Sequence, residues 1–109
     1  MRRLITLGIF LCVLSSAHGE PPAEFLSRDR MVAILVDLEL AKAMVGHYTD
    51  DADTARVLFQ KNALLIYQAH EIAPDDFQKS YQYYLAHLEA MQEIYMLVIG
   101  QLEALLGQL

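Results

Sequence analysis

The alternation of apolar and polar positions is most regular at the end of the chain. Phe77, Tyr81, Tyr84, Leu88, Met91, Tyr95, Val98, Leu102, Leu105 and Leu109 follow one another at intervals of four and three without a break. That is a heptad seam, left by a helix that lays one stripe against its neighbours. Pro74, with Asp75 and Asp76 behind it, marks the start. Proline suits the first helical turn, and acids there face the positive end of the helix dipole. The pattern predicts one helix over 74–107, roughly 50 Å long at about 1.5 Å per residue.

Two shorter helices are predicted upstream. Ser27 suits an N-cap for a helix from Arg28 to Val45, with Gly46 as its stop. Met31, Ile34, Leu35, Leu38, Ala41 and Val45 form one apolar arc. Val32, Ala33, Val36, Leu40, Ala43 and Met44 form a second. Arg28, Glu39 and Lys42 divide the arcs along one edge, Arg30 and Asp37 along the other. A helix apolar on two sides is covered on two sides, so this one is wedged between two helices or shared with another chain. The next helix is expected over 52–70, with Ala55, Leu58, Phe59, Leu65, Ile66 and Ala69 on one face and Asn62 in its middle. A buried Asn needs partners and often sets the register between helices. Asp37 is a candidate contact for it. The connections 46–51 and 71–73 are short, which makes successive helices antiparallel. The expected fold is all-α, a three-helix bundle over 27–109 with a long C-terminal helix, preceded by an extended leader at 20–26.

These lengths leave a remainder. Two helices of roughly 28 Å cover only the first half of a 50 Å helix. Beyond Glu93 lie Ile94, Leu97, Val98, Ile99, Leu102, Leu105 and Leu106, the most apolar part of the bundle. Left bare, they would form the kind of patch that soluble monomers avoid. The helix either bends back at Gly100, pairs with the same tail of a second chain, or docks on another protein. Gly100 and Gly107 lie opposite the seam and leave the stripe intact, which favours pairing or docking. These seven residues are therefore the candidate partner-binding surface, and removing everything after Glu93 is expected to release the partner. The tail carries no lysine or arginine, which speaks against strong direct membrane binding.

The first residues change the accounting of composition. Arg2 and Arg3 precede the apolar run Leu4 to Leu14, followed by Ser15, Ser16, Ala17, His18 and Gly19. A basic start, a short apolar core and small residues describe a secretory signal peptide. The run is shorter than the roughly 20 apolar residues a membrane span needs. Cleavage is expected after Gly19, with Ala17 as the second choice, and the location is periplasmic or otherwise exported. Cys12 leaves with the signal, so the mature chain has no thiol for a disulfide, a nucleophile or a metal. Six basic side chains then face fourteen acidic ones, a net charge of −8. Such a surface disfavours nucleic acid and anionic lipid.

Candidate chemistry is sparse. Asp50, Asp51 and Asp53 lack the glycine and closing glutamate of a calcium loop, and helix capping accounts for them. His47, His70 and His87 do not converge and have no helical zinc spacing. Ser80 has no nucleophile-elbow context. The expectation is a non-catalytic protein with no cofactor and no metal. Asp37, Asn62, Ser80, Tyr83 and Tyr84 form a candidate polar core or pocket that a small ligand or metal could use. In the plainer reading Asp37 edges the core and meets a basic or hydroxyl group on a neighbouring helix, Tyr81 and Tyr84 are core, and Tyr83 is open for recognition.

Three spaced motifs add a resemblance. Residues 31–43 read M-x-x-x-L-x-D-L-x-L-A-x-A, residues 77–84 read F-x-x-S-x-x-Y-Y, and residues 94–102 read I-Y-x-x-V-x-x-x-L. In order and spacing the chain resembles a domain-of-unknown-function family of small exported helical lipoproteins from Bacteroidota-type bacteria, over roughly Phe25 to Leu102. Members usually carry a lipobox cysteine where this chain has Ala17, while Cys12 sits inside the apolar run behind Leu11. No lipid anchor is therefore expected. Members also often have His-Pro-Glu where this chain has His87, Leu88 and Glu89, so a straighter last helix is expected here. The resemblance implies no established activity or substrate. Taken together, these readings point to an envelope interaction or assembly module that self-associates or binds another envelope protein.

Overall fold

A computed structural model describes residues 20–108; the expected signal peptide, its cleavage point and Cys12 lie outside the described residues. Among the described residues there are four helices: α1 (Arg28–Tyr48), α2 (Ala52–Ala69), α3 (Pro74–Leu85) and α4 (Leu88–Leu106). Each starts where the local chemistry favours it. The Ser27 hydroxyl accepts from the Arg30 amide and caps α1. The Asp51 carboxylate caps α2, accepting from the amide and the hydroxyl of Thr54 at 2.9 and 2.6 Å. Those two bonds, the hydroxyl's the larger effect, hold the Asp51 carboxyl below its ordinary range. Pro74 opens α3. Helix α1 does not stop at Gly46 but continues one turn to Tyr48, because its close comes from the Thr49 amide bonding the Val45 carbonyl rather than from the glycine.

The single long helix predicted over 74–107 is two helices. The ladder ends at Leu85, and His87 takes an extended φ of −123° before α4 begins. The junction satisfies its own backbone. The Tyr83 carbonyl accepts from the Ala86 amide and, at 2.7 Å, from His87 Nδ1–H. The His87 carbonyl already accepts from the Met91 amide, the first bond of the new helix. Leu88, which the seam places in the core, is 69% exposed because the break falls on it. No proline is needed for this break, so the expectation of a straighter last helix fails. The chain does not bend at Gly100, which lies inside α4.

The break resolves the length mismatch. Helix α4 lies along α1 instead of projecting past it, and α1 is sandwiched between α2 and α4. The N-terminal ends of α1 and α4 meet, where Arg28 pairs with Glu93. The first arc of α1 is wholly buried, and the core gathers Met31, Ile34, Leu35 and Leu38 with Phe77 and Tyr84 of α3 and Met91, Ile94 and Val98 of α4. Each such side chain contributes about 1.5–3 kcal/mol on leaving water. Helix α2 is the loosest member. Ala63 is its one buried residue, with Phe59, Ile66 and Tyr67 partly covered. It ends in a Schellman turn, with the Ile72 amide on the Tyr67 carbonyl and the Glu71 amide on that of Gln68. Glu71 has φ 56° there, in the left-handed position where glycine is usual.

The leader is part of the fold. Leu26 is buried, its amide donating to Ser80 Oγ at 2.9 Å and its carbonyl accepting from the Tyr84 hydroxyl at 2.7 Å. Ser80 and Tyr84 are one turn apart on α3, so one helix face grips both sides of one residue. The Phe25 ring stacks on Tyr83 with centroids 4.4 Å apart, and Lys79 sits over Phe25 while pairing with Glu24.

Candidate functional site

The candidate polar residues divide into two groups. Ser80, Tyr83 and Tyr84 belong to the leader clamp at one end of α3. Tyr83 is not open for recognition: its ring lies between Phe25 and His87, the latter at 4.1 Å. Burial, then the neighbouring Tyr83, push the Tyr84 phenol above its ordinary range. Asp37 and Asn62 lie elsewhere, between α1 and α2. The five do not form one pocket.

Asp37 meets a basic group on the neighbouring helix, as the plainer reading expects. His70 Nε2–H donates to Asp37 Oδ2 at 2.6 Å. Two turns earlier on the same edge of α1, Arg30 Nη2 donates to the His70 carbonyl at 2.6 Å. One edge of α1 thus holds both the side chain and the backbone of the residue that ends α2. The seven-residue spacing of Arg30 and Asp37 carried that signal; the partner could not be read, because His70 lies 33 positions from Asp37. Among the described residues, no group of three His, Cys, Asp or Glu side chains could hold a metal ion.

Beyond the Asp37–His70 pair the two helices leave an apolar groove. Two adjoining hollows of about 330 and 370 Å³ run along it. Leu40, Met44 and Tyr48 form one wall, Leu58 and Leu65 the other, with Asn62 lining both hollows. Met44 is 66%, Tyr48 85% and Leu65 62% exposed. Asn62 does not reach Asp37 by a hydrogen bond, and among the described residues its amide has no partner.

The expected partner-binding surface on α4 is split by the fold. Ile94 and Val98 are buried in the core and Leu102 is half-buried, so these three are not free for another protein. Removing everything after Glu93 would therefore strip the core rather than release a partner. Leu97, Ile99, Leu105 and Leu106 remain exposed, joined by Met96. Tyr95, on the core side of this helix, shares a hydroxyl hydrogen bond with Tyr81 at 3.2 Å. Burial, with that bond second, pushes the Tyr95 phenol up to about 12.

The family model described as Domain of unknown function (DUF4296) matches residues 22–106. The chain belongs to the DUF4296 family. The DUF4296 match opens at the leader that Ser80 and Tyr84 clamp and closes with the last residue of α4. The matched stretch thus takes in most of the leader and all four helices. Comparison with curated proteins and with solved structures finds no match.

Proposed function

We propose that this DUF4296 protein is a non-catalytic interaction or assembly module of the cell envelope, working through the outward face of α4. The carrying observation is that α4, after burying Met91, Ile94 and Val98, still exposes Met96, Leu97, Ile99 and Leu106 at half or more of their surface. A protein that keeps several large apolar side chains in water along one helix has a use for them. Export, without a lipid anchor, is supported by the pattern of residues 1–19 and by the acidic balance of the remainder. No helix among the described residues is long and apolar enough to cross a membrane. The bonded polar groups of the core are structural, which supports a scaffold over a site of turnover.

The test is photo-crosslinking in producing cells, with the reactive group at position 99 and a control at Gln60, an exposed position of α2. A discrete adduct from position 99 that Leu106→Asp diminishes is expected. No adduct from position 99, or equal adducts from both positions, would sink the reading.

A further inference from the structure

We infer that the groove between α1 and α2 receives the outward stripe of α4 from a second copy of this chain; this rests on the α4 reading above and names its partner. Two features identify the occupant. The first is shape. The groove runs along α1 from Asp37 to Tyr48, about 17 Å at helical rise. A trough between two helices fits a third helix carrying apolar side chains at helical spacing. On α4, Met96, Ile99, Glu103 and Leu106 are spaced three, four and three, over about 15 Å. Met96, Ile99 and Leu106 are 72%, 53% and 65% exposed.

The second feature is charge. Lys61 is exposed on α2, three residues after Leu58 and four before Leu65, so it stands one helical turn from both of these groove-lining residues without lining the hollows itself. Among the described residues it is the one lysine or arginine without an ion pair or hydrogen bond: Arg28, Lys42, Arg56 and Lys79 have acidic partners and Arg30 holds the His70 carbonyl. Glu103 is the one charged residue after Glu93, and it also has no partner among the described residues. The groove's own acid, Asp37, is occupied by His70. A chain of net charge −8 after export repels its copies in general, so one unpaired cation beside an apolar trough, matched by one acid within an apolar stripe, selects this pairing over others.

The register follows. With α4 of one copy antiparallel to α2 of the other, setting Glu103 opposite Lys61 puts Leu106 three residues along, at Leu58. It puts Ile99 four residues the other way, at Leu65. Asn62 then lies beneath the guest helix. The contact is heterologous, a groove on one copy and a stripe on the next, so assembly proceeds head to tail.

Light scattering and sedimentation of residues 20–109, over a range of concentrations at low salt, test this. Wild type is expected to give a mass above the monomer that rises with concentration. Lys61→Glu, Glu103→Lys and Met44→Asp should each weaken assembly about tenfold or more, since a like charge or a charge in the trough faces the partner. All three positions are exposed, so helicity and melting should stay at the wild-type level. Lys61→Glu combined with Glu103→Lys should restore assembly. A wild type that stays monomeric throughout overturns the inference but leaves crosslinking from position 99 to another protein intact. So does assembly that Ile99→Asp breaks while Lys61→Glu and Met44→Asp do not: α4 is then used, but not in this groove. A charge exchange that fails to restore assembly overturns the register.

Discussion

Replacing Ser80 by alanine isolates the bond that joins the leader to the bundle. Ser80 is 1% and Leu26 9% exposed, so water does not take the place of the lost hydroxyl. The Leu26 amide, now bonded at 2.9 Å, becomes a buried donor without an acceptor, which costs about 1–3 kcal/mol. Tyr84→Phe removes the donor from the Leu26 carbonyl instead. A carbonyl is more easily satisfied than an amide, and the ring stays in place, so about 0.5–1.5 kcal/mol is expected. The smaller side chain thus matters more than the larger one. A folded unit of this size has total stability on the order of 4–13 kcal/mol, so Ser80→Ala is a sizeable fraction. It should lower the melting temperature by roughly 5–20 °C. Urea unfolding followed by circular dichroism measures both, with the midpoint moving and the slope unchanged. The double variant should lose less than the two single losses combined, because both bonds hold the same residue. If Ser80→Ala unfolds within about 0.5 kcal/mol of wild type, the leader is not held by this clamp and its burial needs another explanation.

Two isoleucines on α4 should behave as opposites. Ile94→Ala, in the core at 0% exposure, is expected to cost about 2–5 kcal/mol, whereas Ile99→Ala, at 53%, should stay within about 0.5 kcal/mol in the monomer; equal losses in thermal melts would contradict the placement of α4 on α1. Glu71→Gly relieves a left-handed residue at a Schellman turn and should stabilise by up to about 1 kcal/mol; a loss in urea unfolding would show that the Glu71 side chain is needed. The Tyr95 phenol, raised to about 12 from 10.0, favours the protonated form in the folded state. Between those values the unfolded chain gives up its proton first, so stability should fall as pH rises from about 10 toward 12, and Tyr95→Phe should flatten that fall in melts across the range.

The amino-acid sequence by itself determined the helical class, the N-cap at Ser27, the capping role of the acids before α2, the start at Pro74 and the buried first arc of α1. All of these rest on interactions within a turn or on a period that a single helix expresses. Of the second arc of α1, Val32 and Val36 are buried while Ala33, Leu40, Ala43 and Met44 stay open. Ser80 and Tyr84 were legible as candidate polar core residues, but the clamp they form on Leu26 was not. Only the tertiary structure decided the rest. The seam from Phe77 to Leu109 is compatible with one straight helix, and nothing local forbids it. The break at Ala86 and His87 arises because a straight helix would leave Ile94 and Val98 in water, while two helices bring both against α1. The gain in buried apolar surface exceeds the few backbone bonds lost at the joint, most of which the junction remakes. Which half of an apolar stripe becomes core and which stays open is therefore a property of the packing, not of the stripe. The same holds for Asp37: its edge position was visible in the sequence, but its partner His70 lies a whole helix away and only packing brings the two together.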